Sequence, residues 1–272
     1  MRRLALAIIA TAGFSQMAAA ADLPTRMPVK AAPMVAVYNW TGLYIGANVG
    51  WASGRYAEST FVDVASNMNA TARTAITNTG AVTLNNGGVI GGLQLGYNMQ
   101  APGSSFVWGA EGDINFLSNK ASRDTGNVVE PVSGVVVRSI DEVKTNWLAT
   151  LRLRGGLAFD RSLIYVTGGL AAGQVNASKS FSWNFADGCP ILNTLNNCHV
   201  GSSNSTRTGG VVGAGWEFAF ANNMTLKAEY LYANLGSKTY RTFNAGIGAT
   251  QWADHTVKTT IQTARIGLNW RL

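Results

Sequence analysis

The sequence predicts an all-β fold: an eight-stranded antiparallel transmembrane β-barrel with four long external loops and short periplasmic turns. Three observations lead to this prediction. Charged residues make up 13% of the 272 residues, against about 25% in typical soluble domains. After residue 38, apolar and polar side chains alternate with a period of two, which is typical of strands with two different faces. The gaps between these segments alternate between long and short without exception, as in bacterial outer-membrane barrels.

Residues 1–21 have the features of a secretory signal peptide. Arg2 and Arg3 precede a short apolar stretch over 4–14, and alanines at 18–21 offer a cleavage site near Ala20 or Ala21. The apolar stretch is too short to cross about 30 Å of hydrocarbon as a helix. Residues 22–38 contain three prolines and are predicted to be a periplasmic linker. Residues 39–272 are predicted to form the barrel, and the protein is expected in the cell outer membrane.

Eight segments carry the strand pattern: 40–51, 88–99, 106–117, 143–159, 163–181, 206–220, 224–240 and 256–272. The gaps at 52–87, 118–142, 182–205 and 241–255 are long, whereas those at 102–103, 160–161 and 221–223 are short. No gap shows a helical pattern. A ten-stranded barrel would need another hairpin within 59–84, and a simpler interpretation is that this stretch extends the first two strands beyond the membrane.

Aromatic side chains favour a membrane barrel over two soluble alternatives, a β-sandwich and a lipocalin-like barrel. Both soluble folds would bury their aromatics inside. Here aromatics stand at the ends of segments, where an outer-membrane barrel places its interfacial girdles. The predicted membrane-interface aromatics are Trp51, Tyr97, Trp147, Tyr232 and Trp270.

The polar face is predicted to line the barrel interior, which in an eight-stranded barrel is just wide enough for side chains to fill. Its charged residues are expected to form a lumen network of Glu111, Asp113, Arg152, Arg154, Glu217, Lys227, Glu229, Arg265 and Arg271. Four acids against five bases is the near balance that a poorly hydrated lumen requires, because an unpaired buried charge costs several kcal/mol. Inward glycines such as Gly96 and Gly215 are expected to make room for the arginines. A plug of ion pairs is favoured over a gated ion path.

The residues that could support chemistry are few. The two histidines, His199 and His255, are expected to be solvated in external loops, and no hydrolase elbow or metalloprotease motif occurs. We therefore expect no enzyme activity, no cofactor and no metal. Haem ligation by Tyr56, Tyr240 and the two histidines is a weaker hypothesis. Cys189 and Cys198 are predicted to form a disulfide, because an exported protein meets an oxidising environment.

Several motifs together resemble one family. They are Trp40-Thr41-Gly42-Leu43-Tyr44-Ile45-Gly46, then Gly156-Leu157-Ala158-Phe159-Asp160-Arg161, Tyr165-Val166-Thr167-Gly168-Gly169, Lys227-Ala228-Glu229-Tyr230-Leu231-Tyr232 and the final Arg265-Ile266-Gly267-Leu268-Asn269-Trp270-Arg271-Leu272. With them the chain resembles the small outer-membrane immunogenic proteins, porin-family barrels related to the OmpA transmembrane domain. The resemblance implies an abundant surface protein with structural and antigenic roles. The chain departs from such barrels in ending on Leu272 instead of an aromatic residue.

Three functions are compatible with these features. The first is a structural, surface-exposed and antigenic barrel with a charge-paired, closed lumen. The second is a small porin or transporter with a narrow passive pore, and the third is a receptor for haem or a host ligand through the external loops. The expected partners are outer-membrane lipids, the barrel insertion machinery and host molecules at the loops. Nucleic acid is not expected despite the net charge of +7, because the chain is exported.

Overall fold

A computed structural model of the protein describes residues 38–132, 134–183, 198–246 and 248–272. The predicted signal peptide, nearly all of the predicted linker and Cys189 lie outside these residues. The elements, in chain order, are β1 (Gly42–Phe61), α1 (Ala70–Thr79), β2 (Val82–Gln100), β3 (Phe106–Asp124), β4 (Val128–Val129), β5 (Val136–Phe159), β6 (Ser162–Trp183), β7 (Cys198–Ala219), β8 (Met224–Asn244) and β9 (Gly248–Arg271).

Eight long strands form a closed antiparallel ring. Their order is β3-β2-β1-β9-β8-β7-β6-β5, and β3 pairs with β5 to close it. The two-residue β4 pairs only with the start of β5. The first and last strands lie side by side, with Tyr44 opposite Arg271 and Phe61 opposite Asp254. Closure removes the free strand edges that a bilayer could not solvate. The predicted eight-stranded barrel is confirmed.

Short turns gather at one end of the ring. The turn between β2 and β3 contains Gly103 at φ +75°, and the two-residue turn between β5 and β6 contains Asp160 at φ +51°. Tight hairpins require such positive φ values because they match the twist of the strands they join. The start of β1 and the end of β9 lie at this same end. It is therefore the periplasmic end.

The strands continue well beyond the segments that their patterns predicted. β1 runs to Phe61, β2 begins at Val82, and only residues 245–247 separate β8 from β9. Much of each segment assigned to an external connection is therefore barrel wall. The alternation fades there because the wall leaves the membrane, so its outer face no longer needs apolar side chains.

The first external connection contains the helix α1, where no helix was expected and a further hairpin was the alternative. The expectation of no helix was wrong, and the further hairpin is not formed. The simpler interpretation, that the stretch extends the first two strands, agrees with β1 running to Phe61 and β2 beginning at Val82. Asn69 caps the helix, accepting a hydrogen bond from the backbone N–H of Ala72 at 2.7 Å. The helix buries Ala72, Ala75 and Ile76. A ten-residue helix with three small or medium apolar contacts leaves little periodic signal in the sequence.

The apolar face of the barrel points outward. Leu153 and Leu170, both mid-strand, are 69% and 68% exposed, as expected for side chains that face lipid instead of a core. Exposed apolar patches of this extent mark membrane contact. Other members of the belt are Leu43, Ile45, Val49, Leu93, Leu95, Phe106, Trp108, Ile114, Leu151, Val166, Val212, Trp216, Leu226, Ile266 and Leu268.

Two irregularities change which residues face inward. In β5 the register with β6 shifts between Thr145 and Leu148, and both of these residues are buried. The residues of β5 that face inward are even-numbered from Leu148 to the periplasmic end and odd-numbered from Thr145 to the external end. Asp141 therefore faces inward. Trp147 lies on this irregularity and is partly buried, so it is not a fully exposed interface aromatic as predicted. In β8 a similar shift surrounds Gly236 at φ +70°.

Among the residues described, the helical part amounts to one short element, and it lacks the length and apolar character needed to cross a membrane.

Candidate functional site in the barrel interior

The interior is filled in layers, and the lowest is apolar. Tyr38 and Trp40 tuck into the periplasmic mouth, where their rings meet edge to face at 4.9 Å. They pack in a cluster with Val107, Ala158, Leu163, Tyr165 and Ala219. Tyr38, assigned to the linker from the sequence, is thus buried. This periplasmic cluster covers the bottom of the lumen.

Above it lies the charge network. Eight of the nine predicted residues come together there with their side chains almost completely buried: Glu111, Asp113, Glu217, Glu229, Arg152, Arg154, Lys227 and Arg265. Four carboxylates face four cations, so the formal charge of this set is zero. Neutrality is what burial demands, because each uncompensated charge would have to be stripped of water.

Glu111 on β3 is the most connected carboxylate. Lys227 Nζ lies 2.8 Å from its Oε1, and the Tyr44 hydroxyl donates to its Oε2 at 2.6 Å. Arg152 also donates to Oε1. β3 and β8 lie on opposite sides of the ring, so the Lys227–Glu111 contact spans the full width of the lumen.

Like Lys227, Arg152 and Arg265 also reach across the lumen. Arg152 on β5 donates to Asp113 at 2.7 Å and to Glu229 on β8 at 2.9 Å. Arg265 on β9 donates to Glu229 at 2.6 Å and to Asp113 on β3 at 2.9 Å. The two guanidinium groups therefore bridge the same pair of carboxylates from opposite walls. Bonds of this charge-assisted kind are about twice as strong as neutral ones.

Arg154 forms the lower part of the network. It donates to Glu217 at 2.6 Å and to the Tyr44 hydroxyl at 2.9 Å. Its guanidinium carbon lies 3.9 Å from the centroid of the Tyr165 ring, a cation–π contact. Arg154 thereby connects the ion pairs to the periplasmic cluster.

Arg271, the ninth predicted member, does not join the network. It is partly exposed, bonds to the backbone carbonyls of Asn39 and Asn222, and lies over the Tyr38 ring at 4.8 Å. Its position as the last strand residue places it at the periplasmic rim. Without Arg271, the charge network contains equal numbers of acids and bases.

Tyr44 and Tyr165 are network members that the charge pattern missed. Their hydroxyls donate to Glu111 and Glu229 at 2.6 and 2.8 Å. Two of the inward glycines accommodate these rings, not the arginines: a Cβ on Gly96 would stand 2.3 Å from the Tyr44 hydroxyl, and one on Gly215 2.4 Å from that of Tyr165. The signal available in the sequence was a tyrosine in phase with the polar face.

Toward the external end, an apolar layer follows the charges. On β8, Leu231 and Leu235 come after Lys227 and Glu229, and both are 2% exposed. They belong to one cluster that draws on all eight barrel strands, with Tyr56, Leu84, Ile90, Leu117, Val143, Leu148, Val175, Val211, Val257 and Ile261 among its members. Packed side chains therefore fill the lumen on the external side of the charge network.

A second, smaller ionic cluster lies beyond the apolar layer. Lys179 is 2.9 Å from both Glu58 and Asp141, and His255 Nδ1 is 3.2 Å from Glu58. Above it, α1 packs in a cluster with Phe181 and Trp183. His255 was named from the sequence only as a weak haem-ligand candidate. Glu58 and Asp141 lie where the sequence was assigned to external connections, and Lys179 lies near the end of the predicted strand segment 163–181.

The prediction that His199 and His255 are solvated loop residues was wrong. Both are fully buried on strands β7 and β9. His199 stacks on Phe181 at 4.7 Å, and burial lowers its pKa to about 3. His255 contacts Thr60 and Thr242 at 2.9 Å through its two ring nitrogens, and burial lowers its pKa as well.

The haem hypothesis through external loops fails for the same reason. Tyr56 and Tyr240, the other proposed ligands, are also buried strand residues. The four side chains belong to the packed interior and do not form a loop surface. Within the described part of the chain, no group of three or more His, Cys, Asp or Glu residues could hold a metal ion. The predicted disulfide stays a prediction, since Cys189 lies outside the described residues.

Four of the five predicted interface aromatics do face outward. Trp51 and Trp270 are about half exposed, and Tyr97 and Tyr232 nearly as much. Tyr97 and Trp270 lie near the periplasmic ends of their strands, and Trp51 is the tenth residue of β1. Their placement outlines the two edges of the lipid-facing belt.

Comparison with known proteins agrees with this architecture. Residues 6–271 match the family described as the outer membrane protein beta-barrel domain. The 31 kDa outer-membrane immunogenic protein of Brucella melitensis biotype 1 is 34% identical over 275 residues, covering 100% of both chains. The 22 kDa outer membrane protein of Rhizobium leguminosarum bv. viciae is 30% identical over 150 residues, covering 55% of this chain and 54% of that protein.

Among solved structures, the outer membrane protein OprG from Pseudomonas aeruginosa matches with a TM-score of 0.48 and 11% identity, covering 86% of this chain and 99% of that one. Neisserial surface protein A matches with a TM-score of 0.37 and 13% identity, covering 85% and 98%. The family match and the full-length relative, taken with the closed ring and its lipid-facing belt, show that this chain belongs to the outer membrane protein beta-barrel family and resides in the cell outer membrane.

Proposed function

We propose that the protein is a structural, surface-exposed barrel without enzyme activity, whose lumen is closed to ions. The observation that carries this proposal is the charge network, because its contacts join opposite walls of the ring. Lys227 on β8 reaches Glu111 on β3, and Arg152 and Arg265 bridge Asp113 and Glu229. Opening a path would break several charge-assisted bonds at once.

The other layers support the same proposal. An ion that passed the network would next meet the apolar layer around Leu231, Ile90 and Tyr56, where most of the surrounding side chains are apolar and could not replace the water bound to the ion. A small porin would need a continuous polar path, and the apolar layer interrupts it. Hence the porin alternative is the less favoured of the two.

Planar-bilayer recording of the folded protein tests closure. We expect no steady current from the wild type under conditions in which a general porin, inserted in the same way, conducts. Heat-modifiable electrophoretic mobility should show that the inserted protein is folded. Steady, ion-selective currents that change in the Arg152→Gln, Arg154→Gln double variant would establish the small-pore function instead.

The surface role is proposed from the external end and from the relative. The Brucella protein is named for its immunogenicity, and the external strand extensions here carry exposed ion pairs such as Arg138–Asp124 and Lys120–Glu142. Antibodies raised against the folded barrel should label intact cells, and a peptide covering residues 241–255 should compete in part. Labelling that requires permeabilised cells would contradict surface exposure.

The partners we propose follow from the same surfaces. The belt would contact outer-membrane lipids, the last strand would be handled by the barrel insertion machinery, and the external end would meet host molecules.

A further inference from the structure

The wall of the barrel is interrupted between β7 and β8. Pairing runs up to Gly210 opposite Asn234 and resumes only at Val200 opposite Phe243. Gly236, at φ +70°, lies in the unpaired stretch of β8. On the outer surface beside it is a cavity of about 490 Å³ lined by Gly169, Thr208, Gly209, Tyr232, Asn234 and Gly236, among others.

An exposed residue of β8 lies beside this interruption. Lys238 lies opposite Val257 in the β8–β9 ladder, and directly opposed residues of an antiparallel pair point to the same face. Val257 is fully buried, whereas Lys238 is exposed. The interruption thus leaves an exposed cation beside an otherwise packed interior.

Arg207 points inward at the same level and is only 5% exposed. Its Nη1 donates to the Val257 carbonyl at 2.8 Å and to the Thr259 hydroxyl at 2.9 Å. Its Nε and Nη2 have no hydrogen-bond partner among the described residues, and no described carboxylate forms a salt bridge with it. Arg152, Arg154 and Arg265, at comparable burial, are each held by at least two carboxylates.

Two buried hydroxyl groups lie in the same region without a hydrogen-bond partner in the described structure. They are Ser205 Oγ, two residues before Arg207 on β7, and Tyr240 Oη on β8. Tyr240 lies close enough to Arg207 for the positive charge to lower the phenol pKa, although burial raises it overall. Burial lowers the pKa of Arg207, because its charged form is stripped of water.

The carboxylates that face this region do not neutralise Arg207. Glu58 on β1 and Asp141 on β5 both raise the pKa of Tyr240, and both are bound to Lys179. A buried guanidinium with a free edge and two free hydroxyls, beside an unpaired stretch of the wall, therefore form a site with donors in excess of acceptors.

We propose that this site binds a phosphate-class oxyanion through Arg207 Nε and Nη2, with the hydroxyls of Ser205 and Tyr240 as further donors and the β7–β8 interruption as its entrance. The guanidinium edge presents two parallel donors that match two oxygens of such an anion. Apolar lipid-facing residues end near Val212 on β7, so the site lies just outside the hydrocarbon. The oxyanion can thus come from free phosphate or from a phosphorylated outer-leaflet lipid.

Titration with inorganic phosphate tests the site, using the full mature protein folded in an uncharged sugar detergent without phosphate. We expect saturable binding by calorimetry, weakened about ten-fold or more in Arg207→Gln, because hydrogen bonds to charged groups contribute about 1.5–3 kcal/mol. Tyr240→Phe should weaken binding by a smaller factor. Arg55→Gln is the matched control, since exposed Arg55 lies opposite Thr260 at the same height, and it should bind as the wild type does.

A second arm identifies the source of the oxyanion. The protein in nanodiscs is exposed to lipopolysaccharide with or without its lipid A phosphates, and retained lipid is measured by mass spectrometry. Retention that needs both the phosphates and Arg207, without binding of inorganic phosphate, assigns the site to a lipid headgroup. If neither ligand depends on Arg207, the proposal is overturned. Should Arg207→Gln fail to fold, unchanged phosphate affinity in both Tyr240→Phe and Ser205→Ala overturns it equally.

Discussion

At the scale of single residues, the interior is organised by carboxylates that each serve more than one cation. Glu111 contacts Lys227 and Arg152, and Glu229 contacts Arg152 and Arg265. Sharing lets four acids neutralise four bases in a space too narrow for separate pairs. It also means that loss of one cation leaves several buried carboxylates undercompensated.

Arg152→Met should therefore be strongly destabilising. Removing one partner of a buried ionic group costs about 3–5 kcal/mol, since the remaining charges stay buried. Denaturant unfolding of the refolded protein in lipid vesicles measures this cost. Arg138→Gln is the control, because the Arg138–Asp124 pair is partly exposed and such pairs contribute about 0–1 kcal/mol. Equal losses in both variants would show that the network is not a coupled unit.

Acidification should weaken the external half through His199. Its pKa is about 3 in the folded protein and about 6.5 when unfolded, so the unfolded chain binds the extra proton between these values. Stability should be fully present above pH 6.5 and fall as pH decreases toward 3, by up to about 1.4 kcal/mol per pH unit. His199→Phe keeps an aromatic ring against Phe181 and should reduce this slope. The free energy of unfolding is measured for both proteins at pH 7.5, 6 and 5. An equal loss of stability in the wild type and in His199→Phe would show that His199 is not responsible.

At the scale of elements, each strand performs two tasks along its length. Its periplasmic half alternates lipid-facing and lumen-facing residues, and its external half encloses a packed, partly ionic interior. The irregularity in β5 joins the two, because it turns Asp141 inward to meet Lys179. The helix α1 then packs with Val62, Val137 and Phe181 over the external cluster, the ionic group around Lys179.

The cap of α1 can be tested separately from the barrel. Asn69→Ala removes the hydrogen bond to the Ala72 N–H and should destabilise the helix by about 1 kcal/mol. Amide exchange within residues 70–79 should accelerate about five-fold, while the strands exchange as before. Thr74→Ala, on the exposed side of the same helix, should slow exchange slightly or leave it unchanged. Acceleration throughout the barrel would mean that the helix is not a local unit.

At the scale of the whole molecule, the lumen is occupied at four successive levels: the periplasmic cluster, the charge network, the apolar layer and the external cluster with α1. The levels use residues at different heights along the same strands, and apolar levels alternate with ionic ones. We infer that closure is redundant, so that damage to one level leaves the others in place.

Redundant closure predicts that Trp40→Ala will not conduct. Trp40 is 2% exposed in the periplasmic cluster, and truncating it should cost about 3–5 kcal/mol of stability. Planar-bilayer traces should nevertheless stay at baseline, with folding checked by heat-modifiable mobility. Steady currents from this variant, absent from the wild type, would show that the periplasmic cluster is the principal seal.

The sequence by itself determined the barrel, its eight strands and which face meets lipid, because a period-two pattern assigns alternate residues to opposite faces of a strand. It also identified eight of the residues that meet in the charge network, since charges in phase with the polar face can only point inward. The partners of these charges lie far apart in the chain, by 152 residues for Arg265 and Asp113, and no local pattern encodes such contacts.

Only the tertiary structure decided what lies beyond the membrane. There the outer face of the strands meets water, so the alternation of apolar and polar residues no longer shows which side chains face inward. Much of the strand sequence in that region was therefore assigned to external loops. The burial of His199 and His255 follows from ring closure, and the inward turn of Asp141 follows from the irregularity in β5. The helix over 70–79 depends on its cap and on the cluster against which it packs. The same applies to Arg207, whose unpartnered edge emerges only where two neighbouring strands fail to pair.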